Sequence, residues 1–271
     1  LMLFLLAAGL TLVFGIMDMI NLAHGSLYMV GAYLMATLSQ ATGSFVAGLV
    51  LAILATGLVG LALEWVLLRH LYRRDHLSQV LATFALILIA NETVRIAWGG
   101  QPVPLPTPTA LSGPVEILPG MPYPAYRLAV IGVGLASAAL LYWLVARTRM
   151  GMRVRAGASN REMATAMGVN INALFTVVFA IGAMLCAVAG AMLGPLLAVQ
   201  VGMGEDILIL AFVVIVIGGI GSIRGALVGA LLVGMVDTVG RAFLPPLFRT
   251  FLSAEQSSVL GPGLASILIY L

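Results

Sequence analysis

SFVAGLVLAILATGLVGLALEWVL, residues 44–67, decides the fold class. About twenty predominantly apolar residues, each rising about 1.5 Å, span the hydrocarbon core of a bilayer as a helix. Comparable runs recur near 1–15, 24–39, 79–97, 127–146, 173–194, 207–220, 225–240 and 259–271, each bounded by polar residues or by Gly and Pro. Over the whole chain 62% of residues are hydrophobic and 8% charged. A water-soluble domain uses about a quarter charged residues, so these cannot clothe a soluble surface. The expected fold is all-α: one polytopic transmembrane helix bundle over residues 1–271 with about eight or nine membrane segments. Both ends fall inside apolar runs. Residues 1–14 have no basic flank and no small-residue cleavage site, and read as a truncated transmembrane helix, not a signal peptide.

Composition also removes whole classes of chemistry. All thirteen basic residues are arginine, which excludes a Walker A phosphate loop and a lysine Schiff base. The net charge of +3 sits in short loops with no continuous basic face, so no nucleic-acid partner is expected. Cys186 is the sole cysteine and lies in an apolar run, leaving neither an intrachain disulfide nor a Cys-rich metal site. There is no H-E-x-x-H and no G-x-S-x-G, and GMGED at Gly202–Asp206 has no convincing second aspartate with which to act as an intramembrane protease. No catalytic residue, metal or cofactor is expected in this chain.

Arginine placement gives the topology. Loop 69–76 carries Arg69, Arg73 and Arg74, and loop 147–161 carries Arg147, Arg149, Arg153, Arg155 and Arg161, so both are read as cytoplasmic. Two crossings separate them, which places 98–126 outside. There Pro102, Pro104, Pro106, Pro108, Pro114, Pro119, Pro122 and Pro124 forbid a regular helix and predict a stiff, extended loop. The same parity puts 40–43, 195–206 and 241–258 outside, and 17–23 and Gly218–Gly225 inside.

Within the long cytoplasmic loop, about 147–172, Ser159 and Glu162 form an S-x-x-E capping box, Met163 and Met167 share a face at i and i+4, and Gly168 is placed to close the helix. A short amphipathic helix is predicted, either an anchor on lipid headgroups or a docking knob for a cytoplasmic partner. Gly221, Gly225 and Gly229 leave one helix face bare, permitting close helix approach. Glu92 with Arg95, and Asp237 with Arg241, are spaced to neutralise each other. Residues 10–36 and 207–234 share a pattern of apolar helix, polar Gly-containing break and small-residue helix, and paired breaks of this kind point to a transport path.

These stretches resemble a known family. GIMDMINLAHGSLYMVGAYL (Gly15–Leu34), TRMGMRVRAGASNREMATAMGVN (Thr148–Asn170) and VIGGIGSIRGA (Val216–Ala226) are similar, in that order, to three signatures of branched-chain amino acid ABC permeases, closer to the LivH half of a LivH/LivM pair. Asp18 stands where small residues are commoner, Arg224 where proline is frequent, and Met163 where the family's coupling element has alanine. The resemblance implies an importer of the bacterial inner membrane that moves a small amino-acid substrate (Leu, Ile or Val) inward. Its partners would be a second, LivM-like permease subunit, two ABC ATPase subunits holding the ATP and Mg, a periplasmic solute-binding protein and the lipid bilayer. It implies ATPase coupling through Ser159, Glu162, Met163, Ala164, Met167 and Gly168. A translocation path is expected along Asn21, His24, Gly25, Ser26, Gly218, Gly219, Gly221, Ser222, Gly225 and Gly229. A same-family permease for urea, an amide or another amino acid, or an ATP-independent channel or secondary carrier, are the alternatives, and a neighbouring gene for a Walker A protein separates the last of these.

Overall fold

Apolar helix formers dominate each run, and polar or glycine residues end it. In a computed structural model, which describes residues 1–72, 74–118, 121–249, 260, 263, 264 and 266–269, these runs become α1 (Met2–Met17), α2 (His24–Thr42), α3 (Phe45–Leu63), α4 (Arg69–Leu71), α5 (His76–Trp98), α6 (Ala125–Arg147), α7 (Arg149–Ser159), α8 (Arg161–Ala166), α9 (Ile171–Leu197), α10 (Met203–Gly218) and α11 (Ile223–Phe248). A five-residue π-helical turn, Glu64–Leu68, joins α3 to α4 into one apolar stretch, Phe45–Leu71. Among the described residues that stretch, α5, α6, α9 and α11 are long and apolar enough to cross a membrane, and α1 is a shorter apolar helix. The expected segment 259–271 lies largely outside the described residues.

Side-chain caps fix several of the helix starts. Ser44 accepts from the amide of Ala47, Asp75 from Ser78, Asn170 from Ala173 and Ser222 from Gly225, each satisfying an orphan donor of a first turn. At Asp75 the hydroxyl and amide of Ser78 also hold the carboxyl below its usual range.

Three expected boundaries move. α10 starts at Met203, four residues before the apolar run, because the acidic pair Glu205 and Asp206 suits the positive end of a helix dipole. α11 continues to Phe248, eight residues past the expected end of its apolar run at 240. The proline-rich segment is more ordered than an extended loop: β1 (Pro114–Leu118) and β2 (Met121–Pro124) form an antiparallel hairpin, and Val103 bridges Val199.

α9 is the hub. It is buried along most of its length, whereas α5, α6 and α11 expose most of their surface. Small residues allow this contact: a Cβ at Gly31 would lie 2.5 Å from Cα of Ala187, one at Gly60 would lie 2.6 Å from Cβ of Ala183, and one at Gly190 would strike the carbonyl of Tyr28. α9 therefore packs along α1, α2 and α3 at once, and α1 and α2 scarcely touch each other. The arginine loops 69–76 and 147–161, the 18–23 break and the Gly219–Ser222 turn gather at one end. Trp98, the proline segment and the start of α10 gather at the other.

Candidate functional site

At the arginine-bearing end the chain after α6 turns sharply. Thr148 Oγ1 accepts from the amide of Gly151 at 3.2 Å, and a Cβ on Gly151 would run into the carbonyl of Val145, so glycine is required at this bend. α7 follows, then α8. The cap of α8 is Asn160, whose Oδ1 accepts from the amide of Met163 at 2.9 Å. This corrects the capping-box reading. Ser159 is the last residue of α7, and Glu162 falls at the second helical position instead of the third, out of register for the reciprocal bond. Asn160, with extended backbone and a short acceptor, is an equally good cap and lies one residue further on.

The far end of α8 matches the sequence expectation. Gly168 has φ 86°, its amide donates to Thr165 at 2.9 Å and the amide of Val169 donates to Ala164 at 3.0 Å, the paired bonds of a Schellman close. Ala164 is buried, while Met163 and Met167 are 61% and 79% exposed. Met167 is the C-cap residue, beyond the last helical turn.

This α7–α8 knob faces the end of α1 and the α10–α11 turn across a cavity of about 530 Å³ lined by Ile16, Asp18, Ser159, Arg161, Glu162 and Gly221 among others. α1 ends because Asp18 adopts a left-handed conformation, φ 52°, with its amide bonded to Phe14 at 2.9 Å. A Cβ on Gly15 would lie 2.8 Å from Cα of Gly221, so the two breaks touch through bare backbone.

Beyond the break the chain turns inward. Asn21 and His24 are fully buried. Asn21 Oδ1 accepts from the amide of Ala23 at 3.1 Å, but its Nδ2 and both ring nitrogens of His24 have no partner among the described residues. The His24 ring lies in the gap between α1 and α9: a Cβ on Gly9 would be 2.8 Å from its Nε2, one on Gly182 would be 3.1 Å from its Cε1, and Phe179 meets it edge-on at 6.5 Å. Gly25 and Gly204 meet backbone to backbone, and Ser26 is buried beside them. His24 thus faces α9, Gly25 and Ser26 lie against the start of α10, and Asn21 is buried in the break itself.

The second group of sequence-predicted path residues is arranged differently. A Cβ on Gly225 would strike the carbonyl of Gly218, and one on Gly229 would lie 2.6 Å from the carbonyl of Val214. The bare face of α11 is therefore occupied by its own neighbour α10. Gly219 and Gly221 have φ near 85° and form the turn, and Ser222 caps α11. The segments that carry the two sets of path residues meet at Gly15, Asp18 and Gly221, which line one cavity. Both expected ion pairs form: Glu92 with Arg95 at 3.4 Å and Asp237 with Arg241 at 2.6 Å.

One further buried group belongs to no sequence motif. Glu64 is 1% exposed and lies in the π turn. Its carboxylate accepts from the hydroxyls of Tyr72 at 2.8 Å and Thr176 at 2.7 Å, with Arg69 at 3.9 Å. A lone acid in the apolar run 44–67 was the available signal, because an ionisable group there must find partners.

A family model described as branched-chain amino acid transport system / permease component matches residues 1–262. The high-affinity branched-chain amino acid transport system permease protein LivH of Escherichia coli is 31% identical over 269 residues, 92% of this chain and 85% of that protein. The corresponding permease protein BraD of Pseudomonas aeruginosa is 30% identical over 248 residues, 87% and 81% of the two chains. The fructose import permease protein FrcC of Rhizobium meliloti is 35% identical over a shorter 103 residues, 35% of this chain and 29% of that protein. No solved structure matches.

Proposed function

We propose, from the premise that this chain belongs to the family of branched-chain amino acid transport system permease components, that it is the membrane permease subunit of an ABC importer for leucine, isoleucine and valine. The observation that carries the substrate class is the similarity over nine-tenths of the chain to permeases of that class. The chain itself has no lysine with which to build a Walker A loop, so ATP and Mg are held by separate ATPase subunits, and a second permease subunit and a solute-binding protein complete the machine.

In this reading the chain is one permease domain of the bacterial inner membrane with eight or nine segments in the bilayer, α1, α2 and α10 adding to the five long apolar helices. The arginine-bearing end is cytoplasmic, as the positive-inside rule requires, and the proline end faces the periplasm. α8 docks on an ATPase, presenting Met163 and Met167 as adaptable apolar contacts with Glu162 at the rim. ATP-driven movement of the docked knob switches the bundle between outward and inward openings. The substrate passes the α1–α2 break, where unpartnered groups of Asn21 and His24 suit a small polar solute, and then the Gly218–Ser222 turn. Affinity is set by the binding protein.

Two measurements test this. Proteoliposomes containing the permease pair, the ATPases and the binding protein should accumulate labelled leucine only with ATP. Uptake of a sugar or urea but not leucine would overturn the substrate class. In a Cys186→Ala background, a cysteine replacing Arg74 should resist an impermeant thiol reagent added outside spheroplasts, while one replacing Gly113 should react. The reverse pattern would invert the topology.

A further inference from the structure

Arg161, the first residue of α8, reaches back into the bundle. Its Nη2 donates to the carbonyl of Ile16 at 2.7 Å. That carbonyl lies in the last turn of α1, where it has no helical donor and carries the negative end of the helix dipole. The same guanidinium sits 5.4 Å above the ring of Phe175 in the second turn of α9. Phe175 meets Tyr72 edge-on, centroids 5.1 Å apart, and Tyr72 donates to the buried carboxylate of Glu64, which Thr176 of α9 also holds. Arg161, Phe175, Tyr72 and Thr176 line, with Arg69, a cavity of about 820 Å³. There is therefore room for them to move.

We infer that Arg161 and Glu64 are positioning residues for transport, carrying the displacement of α8 to the end of α1 and to the π turn below α3. The inference rests on α8 being the ATPase-docking element. The contacts are polar or aromatic, and together they link α8 to the end of α1, to the start of α9 and, through Tyr72, to the π turn. Shifting α8 must drag the last turn of α1, because a charge-assisted bond to a carbonyl resists breaking more than an apolar contact does. The end of α1 sets the Asp18–Ala23 break, and with it the seat of His24. At the other end of the relay, a π turn carries one residue more than an α-helical turn and marks a place where a helix can change register. Glu64 is the group that pins this turn to α9.

The test uses the assembled importer in proteoliposomes. Arg161→Gln should leave ATP hydrolysis running but lower leucine moved per ATP by about tenfold, the low end for losing a hydrogen bond to a charged group. Cross-linking from a cysteine at Met163 to the ATPase should persist, and Arg161→Lys should recover part of the loss. Glu64→Gln should act in the same direction. Combined with Arg161→Gln it should cost less than the product of the single effects, as members of one network do. Wild-type leucine per ATP in Arg161→Gln, or fully multiplicative effects, would overturn the inference. If Arg161→Gln does not assemble, Phe175→Leu decides, since it removes the ring beneath the guanidinium and keeps the apolar volume; wild-type coupling there is equally fatal. Loss of the Met163 cross-link in the wild type strikes the docking reading instead.

Discussion

Asn160 and Ser159 are neighbours of nearly equal capping tendency, and local geometry chooses between them. Replacing Asn160 with Ala should destabilise α8 by about 1 kcal/mol, while Ser159→Ala should be near neutral; hydrogen exchange of the Met163 amide reads the difference. Ser159 stands out in the sequence because Glu162 completes an S-x-x-E motif with it. A motif match cannot register that α7 runs to Ser159 and withdraws that hydroxyl. Gly168, by contrast, was legible, because a left-handed close leaves one residue type nearly free of strain. Gly168→Val should lose ATPase coupling while the protein still inserts in the membrane. Retained substrate-stimulated hydrolysis in that variant would make α8 a mere surface anchor. His24 was legible as a polar residue beside a break, but not as a ring held between Gly9 and Gly182, since nothing local reveals which glycines a helix will meet 150 residues later.

Among the elements, the α10–α11 pair carries the sharpest steric demand. Gly225 has no room for a side chain against the Gly218 carbonyl, so Gly225→Ala should already force the hairpin apart, and Gly225→Leu should abolish transport. If Gly225→Leu assembles and transports normally, the contact described above is not maintained in the working protein. The glycine spacing announced close packing, and the partner is the preceding helix, α10. Length and hydropathy found the runs that became α3, α5, α6, α9 and α11. They missed the π turn, because the apolar run passes through Glu64 with no change of composition on either side. They missed the hairpin at Pro114–Pro124 because alternating prolines suppress the usual strand signal, and only an edge pairing with few amide donors can accommodate them.

For the whole molecule, the gathering of the arginine loops at one end follows from parity alone, and the sequence was sufficient to derive it. The central place of α9 was not derivable, because its apolar run looks like the others and only its small residues, Gly182, Ala183, Ala187 and Gly190, distinguish it. That arrangement bears on how the protein is made. The chain emerges from the ribosome N-terminus first, so α1, α2 and α3 are made while their common partner, α9, is still more than 100 residues downstream in the message. Until α9 arrives, His24 lacks the helix that covers it and is exposed to lipid or to a chaperone that shields polar groups there. A nascent chain arrested after residue 170 should therefore be degraded rapidly by membrane quality-control proteases. One arrested after residue 202, with α9 in place, should persist several-fold longer. Equal lifetimes would mean that the first helices settle without α9.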